Sequence, residues 1–294
     1  MSHFRSIFRQ ISTNNSYQVS DYGPDNDAFS TFQPDDVAGL KVWLDANSSG
    51  HITQSGGEVA TWSNRIQSVG GSVSGASDLH VTLQSNYINT SRSAILYSTG
   101  TFEQGYMQST FNFRDFLTDA GSNKPDSFSW WFAVQANPYS AGSSYAYSNA
   151  NISTSEHDAY MLVGGRQSGE TEDYFRFDET DIDWENWVRS TDTITSGTNY
   201  IINVIFERLG ATGYYLTMAV DGGSDNILDK STSTNPFSLS AAGNQRLRLG
   251  GSVWPKNARP VNRAYYEVLL YDGKLSDANR TLVTNYLKDK WGIG

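Results

Sequence analysis

Three carboxylates alternate with two large apolar residues near the middle of the chain, in the stretch Asp181-Ile182-Asp183-Trp184-Glu185. Because successive side chains of a β-strand point to opposite faces, these carboxylates would share one face of a strand. Such a set can exchange protons with a substrate or supply oxygen ligands to a hard cation such as calcium. The neighbouring acidic residues Asp173, Asp178 and Glu179 favour a third interpretation, a solvated or interface segment, which is the one we expect.

Other residue types that are common in catalytic and metal-binding sites do not occur here at the spacing that such sites need. The chain has no cysteine, and its four histidines, His3, His51, His80 and His157, are far apart and lack metal-ligand spacing. No Gly-x-Ser-x-Gly motif and no Gly-rich phosphate loop occur, which argues against a serine hydrolase and a nucleotide hydrolase. We therefore expect no cofactor, with a structural cation such as calcium as the one open alternative.

Aromatic residues in polar, turn-rich stretches are the remaining candidates for ligand contact. Such residues stack on sugar rings while neighbouring carboxamides and carboxylates take the hydroxyls, and they also serve protein interfaces. Glycan contact, protein contact and simple packing under loops stay open as alternatives. The residues are Tyr139, Tyr145, Tyr147, Trp184, Trp187 and Trp254.

The elements that must position these side chains are mostly strands. The 294 residues include 17 Tyr, 14 Phe, 8 Trp and 26 Gly; aromatic residues suit pleated surfaces, and glycine supplies turns. Apolar runs alternate with turn clusters without an intervening helical pattern, which predicts an antiparallel sandwich or barrel. The predicted strands cover residues 41–44, 59–62, 94–97, 128–134, 159–163, 174–177, 200–207, 214–220, 246–249 and 265–271.

One helix is predicted, over residues 276–291. Ser276 is a good N-cap, Asp277 complements the helix dipole in the first turn, and Gly292 is placed to end the helix. A helix with one apolar stripe can cover an exposed edge or face of a sheet. The stripe consists of Ala278, Leu282, Val283, Tyr286 and Leu287.

Two groups of residues bracket this region and carry a resemblance. Residues 39–46 and 59–64, and then 247–251, 266–272 and 290–293, resemble the opening and closing elements of concanavalin-A-like, laminin-G-like jelly rolls of bacteriophage and bacterial surface proteins. The resemblance implies an all-β, two-sheet antiparallel jelly-roll sandwich over residues 36–294. That family holds lectins, adhesins, virion proteins and glycosidases, so it does not specify an activity. We expect Trp43 and Trp62 to pack across the two sheets.

The acidic triplet is similar to the Glu-x-Asp-x-Glu signature of retaining jelly-roll glucanases, where the outer carboxylates act as nucleophile and acid/base. The first position departs from that signature, because Asp181 is one methylene shorter than the glutamate. The shorter side chain would spoil the separation of roughly 5 Å that the retaining mechanism needs. We therefore expect no enzyme; Asp181, Asp183 and Glu185 are the weak candidates for a catalytic role.

Residues 1–35 differ from the rest and predict an extended N-terminal arm. Apolar residues are sparse, and residues 23–27 form a strong linker signal. Four apolar residues at helical spacing beside two arginines are typical of a segment that orders against a partner, and a disordered tail is the alternative. The candidate anchors are Phe4, Arg5, Ile7, Phe8, Arg9 and Ile11.

Charge and hydropathy limit the kinds of binding partner that we expect. The formal net charge of −10 argues against nucleic acid, and no apolar run suits a signal peptide or a membrane span. These features lead to a hypothesis: a non-enzymatic virion structural protein, such as a phage head decoration or fibre-associated subunit, assembled in the host cytoplasm and displayed on the virion surface. It would be a homo-oligomer that docks onto capsid or other virion proteins through the arm and weakly binds host surface glycans. The alternative is a secreted or surface carbohydrate-binding module or glucanase-like glycosidase.

Overall fold

The computed structural model describes fourteen segments of the chain, and they contain seventeen strands, one α-helix and two short 3-10 helices. The described residues are 32–75, 81–88, 91–97, 107–112, 117, 126–136, 148–153, 158–165, 172, 174–179, 187–210, 213–232, 246–249 and 263–294. In this part of the chain no helix is both long and apolar enough to cross a membrane.

The strands follow one another along the chain, and the helix comes last. Their bounds are β1 Leu40–Asp45, β2 Ile52–Ser55, β3 Glu58–Ser63, β4 Ser72–Gly75, β5 Val81–Ile88, β6 Arg92–Tyr97, β7 Met107–Ser109, β8 Ser127–Gln135, β9 Ser148–Ser153, β10 Asp158–Gly165, β11 Tyr174–Glu179, β12 Trp187–Arg189, β13 Asn199–Leu209, β14 Gly213–Val220, β15 Asn226–Lys230, β16 Arg246–Leu249, β17 Arg263–Asp272 and α1 Asp277–Trp291. Every strand predicted from the sequence lies within one of these strands.

The strands form two sheets, and all of their described pairings are antiparallel. The helix-side sheet has the order β15-β14-β13-β8-β17-β6-β5, and β1 pairs with β17 as well. The opposite sheet has the order β12-β11-β10-β9-β16-β7-β4-β3-β2. This arrangement confirms the predicted all-β fold with two antiparallel sheets and a C-terminal helix.

A first hydrophobic core lies between the two sheets. Alternate residues of β8 point into it, including Phe128, Trp130 and Phe132, and Trp62 of β3 enters from the opposite sheet. Phe128 stacks on Phe206 with ring centroids 5.4 Å apart. The alternation of core and outer residues along each strand follows from the pleat, which turns successive side chains to opposite faces.

A second hydrophobic core lies between the outer face of the helix-side sheet and α1. Trp131 of β8 and Leu269 of β17 belong to it, together with Leu287 and Trp291 of the helix. Trp43 also belongs to this layer, so the prediction that it packs between the sheets is wrong. The reason is alternation along β1, whose neighbouring residues Val42 and Leu44 take the inter-sheet positions.

The helix begins and ends as the sequence predicts. The Ser276 hydroxyl accepts a hydrogen bond from the Asn279 backbone at 3.3 Å, and Gly292 ends the helix in the left-handed region with φ 62°. The predicted apolar stripe is only partly right, because Ala278 and Leu282 are exposed. The helix docks mainly through its second half, where the buried residues are Val283, Thr284, Tyr286, Leu287 and Trp291.

Candidate functional site

Only Trp187, of all the site residues predicted from the sequence, lies among the described residues. The acidic triplet, the arm anchors and the other turn aromatics lie outside them, so their predicted catalytic, cation-binding, docking and contact roles stay predictions. The residues outside are Phe4, Arg5, Ile7, Phe8, Arg9, Ile11, Tyr139, Tyr145, Tyr147, Asp181, Asp183, Trp184, Glu185 and Trp254.

Trp187 lies at the end of a row of register partners that crosses the opposite sheet. The neighbouring row, which includes Val188, Phe177, Leu249 and Met107, belongs to the inter-sheet core. Trp187 is one position before Val188 along β12, so its side chain lies on the outer face of the sheet. The backbone register continues this row across β11, β10, β9 and β16 to Gln108, Ser74, Thr61 and Thr53.

An arginine lies against two aromatic rings at the edge of this sheet. The guanidinium carbon of Arg189 is 4.5 Å from the centroid of Tyr174 and 5.9 Å from the Trp187 ring. Both aromatic residues are half-buried, and Arg189 is exposed. A cation within about 6 Å of a ring centroid is attracted by the ring quadrupole. We call Tyr174, Trp187 and Arg189 the aromatic edge.

The backbone beside the aromatic edge is held by one buried serine. The Ser190 amide donates to the Phe175 carbonyl at 2.8 Å, and the Ser190 hydroxyl accepts from the Phe175 amide at 3.1 Å. The same hydroxyl donates to the Asp192 carbonyl at 2.8 Å. Because Val188 and Phe175 are anchored in the core, the side chains at 187 and 189 lie on the other face of β12.

The aromatic edge can bind a ligand that has an apolar face and hydrogen-bonding groups at its rim. Half-buried rings offer a stacking surface of low conformational freedom, and the guanidinium offers a planar fork of donors. A pyranose ring presents both features, since its C–H face is apolar and its hydroxyls accept hydrogen bonds. Sequence reasoning identified Trp187 but missed Tyr174 and Arg189. Arg189 is two positions after Trp187 in the same strand, and alternation could have placed both on one face. Tyr174 belongs to the neighbouring strand β11, and its contact with Arg189 becomes visible only with the strand pairing.

A cluster of buried charges lies beneath α1, and it too was missed from the sequence. Glu267 is fully buried; its Oε1 accepts from the Trp43 indole at 2.6 Å and the Tyr286 hydroxyl at 3.1 Å. Its Oε2 accepts from the Trp291 indole at 2.8 Å and lies 3.0 Å from Lys290 Nζ. Four donors around one carboxylate satisfy its hydrogen-bonding capacity.

Asp45 shares Lys290 with Glu267. Lys290 Nζ is 2.8 Å from Asp45 Oδ2, and the same oxygen accepts from the Arg65 guanidinium. Burial raises the pKa of Glu267. For Asp45 the effect of burial is outweighed by Lys290 and Arg65, which hold its pKa below the usual 3.8. We call Asp45, Arg65, Glu267 and Lys290 the ionic cluster; two acids meet two bases, so it is charge-balanced.

The ionic cluster joins the helix to the sheet and offers no room for a ligand. Strongly shifted pKa values mark functional sites as well as structural ion pairs. Here Glu267 is 0% exposed and Asp45 is 2% exposed, and both carboxylates are occupied by protein donors. Among the described residues, no group of three or more His, Cys, Asp or Glu side chains is placed to hold a metal ion. The aromatic edge is therefore the better candidate for ligand binding.

Comparison with known proteins shows a shared fold and no family. No protein-family model matches the chain, and no curated protein matches. The botulinum neurotoxin serotype C1 binding domain is similar at 12% identity with a TM-score of 0.55, over 87% of this chain and 53% of that one. The binding domain of Paraclostridial Mosquitocidal Protein 1 is similar at 9% identity with a TM-score of 0.53, over 89% and 56%.

A glycosidase shares the fold as well. GH54 α-L-arabinofuranosidase is similar at 12% identity with a TM-score of 0.50, over 80% of this chain and 51% of that one. The chain thus spans about half the length of the solved structures it matches. At these identities the likeness shows the fold alone: a β-sandwich that is also present in toxin binding domains and a glycosidase.

Proposed function

We propose that the chain is a non-catalytic glycan-binding β-sandwich domain whose aromatic edge contacts the sugar. The observation that carries the proposal is the placement of Arg189 against Tyr174 and Trp187 at the edge of the opposite sheet. In the described part of the chain, α1 packs on the other side of the sandwich, against the helix-side sheet. The aromatic edge is therefore not under the helix.

Stacking and hydrogen bonding act together in this proposal. The guanidinium is ordered by its contact with Tyr174, so part of the entropy cost of fixing a long side chain is met before a ligand arrives. The partly exposed face of Trp187 then takes the apolar face of the sugar, and Arg189 donates to hydroxyl or ring oxygens. The fold of the solved neighbours supports the proposal. One of them is botulinum neurotoxin type C, whose cell entry depends on interaction with two ganglioside molecules.

Two finer parts of the hypothesis remain proposals. A virion subunit that docks through the N-terminal arm predicted over residues 1–35 is one of them; residues 1–31 of this arm lie outside the described residues. Deleting residues 1–31 should remove particle binding and leave glycan binding intact. The non-catalytic assignment depends on Asp181, Asp183 and Glu185, and hydrolysis of a β-glucan that is lost in Glu185→Gln would overturn it.

The glycan proposal is tested with a glycan array followed by calorimetric titration of the strongest hit. Trp187→Ala should weaken binding at least about tenfold, equal to about 1.4 kcal/mol. An aromatic contact contributes about 0.5–1.5 kcal/mol beyond its buried area, and the lost area adds to this. Tyr215→Ala is the matched control, since Tyr215 is a half-buried aromatic residue on the other sheet, in β14.

Three results would refute the proposal. The first is an array on which the wild-type chain binds nothing. The second is a Trp187→Ala variant that binds the hit as tightly as the wild type does. The third is a Tyr215→Ala variant that loses as much affinity as Trp187→Ala. Thermal unfolding of both variants checks that each keeps its fold.

A further inference from the structure

A polar groove lies between α1 and the end of the helix-side sheet. It has a volume of about 370 Å³ and is lined by β13, by the β14–β15 turn and by one side of the helix. Its floor is partly apolar, with Ile201 and Ala219, and its walls are polar. Sites for small molecules usually occupy roughly 300–1,000 Å³, so the groove is large enough for one small ligand.

One arginine fixes the shape of the groove. Arg280 of the helix makes a bidentate pair with Asp225 in the β14–β15 turn, at 2.6 and 2.9 Å. Its Nε donates to the Asn203 side-chain oxygen in β13 at 3.3 Å. Such a fork holds both partners in one plane. Because these donors are used within the protein, Arg280 serves as scaffold and leaves ligand binding to its neighbours.

Asp221 has hydrogen-bonding capacity to spare. Its Oδ1 accepts from the Ile201 backbone amide at 2.7 Å, while Oδ2 has no hydrogen-bond donor among the described residues. Partial burial raises the pKa of Asp221 against the lowering effects of that hydrogen bond and of Lys288. A half-buried carboxylate that is only partly hydrogen-bonded gains from a ligand hydroxyl more than an exposed one does.

Two side chains of the helix add donors beside this carboxylate. Lys288 Nζ donates to the Asp221 backbone carbonyl at 3.1 Å, and an ammonium has three hydrogens. Thr284 Oγ1 accepts from the Trp131 indole at 3.2 Å, so its own hydrogen points elsewhere. The exposed carboxamide of Asn285 lies along the same lining and both donates and accepts.

We propose that this groove is a second binding site, for the vicinal hydroxyls of a sugar-sized polyol. One hydroxyl of such a pair donates to Asp221 Oδ2 and accepts from Lys288. Asn285 and Thr284 form hydrogen bonds with the adjacent hydroxyls. A simple anion would meet the carboxylates of Asp221, Asp225 and Asp277, and a simple cation would meet Arg280 and Lys288. A neutral ligand that both donates and accepts suits this mixed lining better than either ion does.

The site is independent of the glycan proposal, because its lining shares no residue with the aromatic edge. The probes are methyl glycosides of mannose, galactose and N-acetylglucosamine, titrated up to about 20 mM, since a few hydrogen bonds of this kind give roughly millimolar affinity. Binding is followed by saturation-transfer NMR and calorimetry. Two variants test the groove. Asp221→Asn keeps the Oδ1 acceptor and tolerates the positive φ of this position, and Lys288→Met removes the ammonium group but keeps the aliphatic part of the side chain.

Each of these two variants should weaken binding of at least one probe about tenfold, the loss of one hydrogen bond to a charged group. Asp229→Asn, an exposed aspartate outside the groove, is the matched control and should bind like the wild type. Trp187→Ala should also leave this binding unchanged. The proposal is overturned if no probe binds, or if binding survives both groove variants. If binding of the probes is lost only in Trp187→Ala, the groove is not their binding site and the aromatic edge is.

Discussion

Replacing Glu267 by glutamine tests how strongly the ionic cluster holds the helix on the sheet. The substitution conserves shape and removes one charge. The remaining carbonyl oxygen can still accept from Trp43 and Tyr286, as Oε1 does now. The new NH₂ group then faces the Trp291 indole and Lys290, which are both donors.

The magnitude follows from those two lost contacts. A hydrogen bond to a charged group contributes about 1.5–3 kcal/mol, and breaking one side of a buried ion pair costs about 3–5 kcal/mol. Part of the loss is offset because a neutral amide is cheaper to bury than a carboxylate. We expect Glu267→Gln to lower the free energy of unfolding by about 3 kcal/mol.

The assay is urea unfolding followed by tryptophan fluorescence and circular dichroism. Glu207→Gln is the matched control, because Glu207 pairs with Lys274 at 2.7 Å on the surface, where the two side chains are 29% and 45% exposed. Exposed pairs contribute about 0–1 kcal/mol, so this variant should unfold almost like the wild type. The reasoning is refuted if Glu267→Gln keeps its fold and stays within about 1 kcal/mol of the wild type.

Two further predictions concern the stability of the protein at acid pH and the cost of replacing a glycine. The pKa of Asp45 is held below the usual 3.8 in the folded state. The ionised carboxylate therefore stabilises the fold fully above the unfolded-state pKa, and this contribution is lost as the pH falls towards the folded-state pKa. The difference in unfolding free energy between wild type and Asp45→Asn, measured by urea unfolding, should be constant above about pH 5 and become smaller below 3.8. A gap that widens in acid would contradict this. Gly39→Ala should cost about 3 kcal/mol or more in the same assay, because φ is +95° and a Cβ would lie 2.6 Å from the Asp272 carbonyl. Gly56→Ala, at φ +63° with open space around it, should cost about 1–2 kcal/mol.

The strands that the sequence predicted are those with a continuous apolar or alternating pattern. Residues 128–134 are apolar at almost every position because β8 has a core on each side, between the sheets and beneath the helix. The strands that were missed are short or polar. β9, with the sequence Ser-Asn-Ala-Asn-Ile-Ser, and β5, with exposed residues along its middle, have no such pattern.

The candidate sites were harder to predict, because each depends on residues far apart in sequence. Trp187 stood out as an aromatic residue in a polar stretch, and Arg189 is two positions further along the same strand. Tyr174 comes to lie against Arg189 only through the pairing of β11 with β12. The sequence Asp221-Gly222-Gly223 is a typical hairpin-turn signal, but nothing in it indicates that the turn forms one wall of the groove. Glu267, in the most apolar strand of the chain, has donors on β1 and α1, and no local pattern reveals them.

The same long separations affect when β1 can fold. The Trp43 indole and Glu267 are 224 positions apart, and Lys290 and Asp45 are 245 apart. A ribosome adds roughly 5–20 residues per second, so β1 spends on the order of ten to fifty seconds without β17 or α1. Throughout that interval a strand that is apolar on both faces has no native cover, and newly made chains are open to aggregation and to capture by chaperones. Mutations that weaken the contact between α1 and the sheet should therefore lower the yield of folded protein in cells more than the loss of stability measured in vitro would predict.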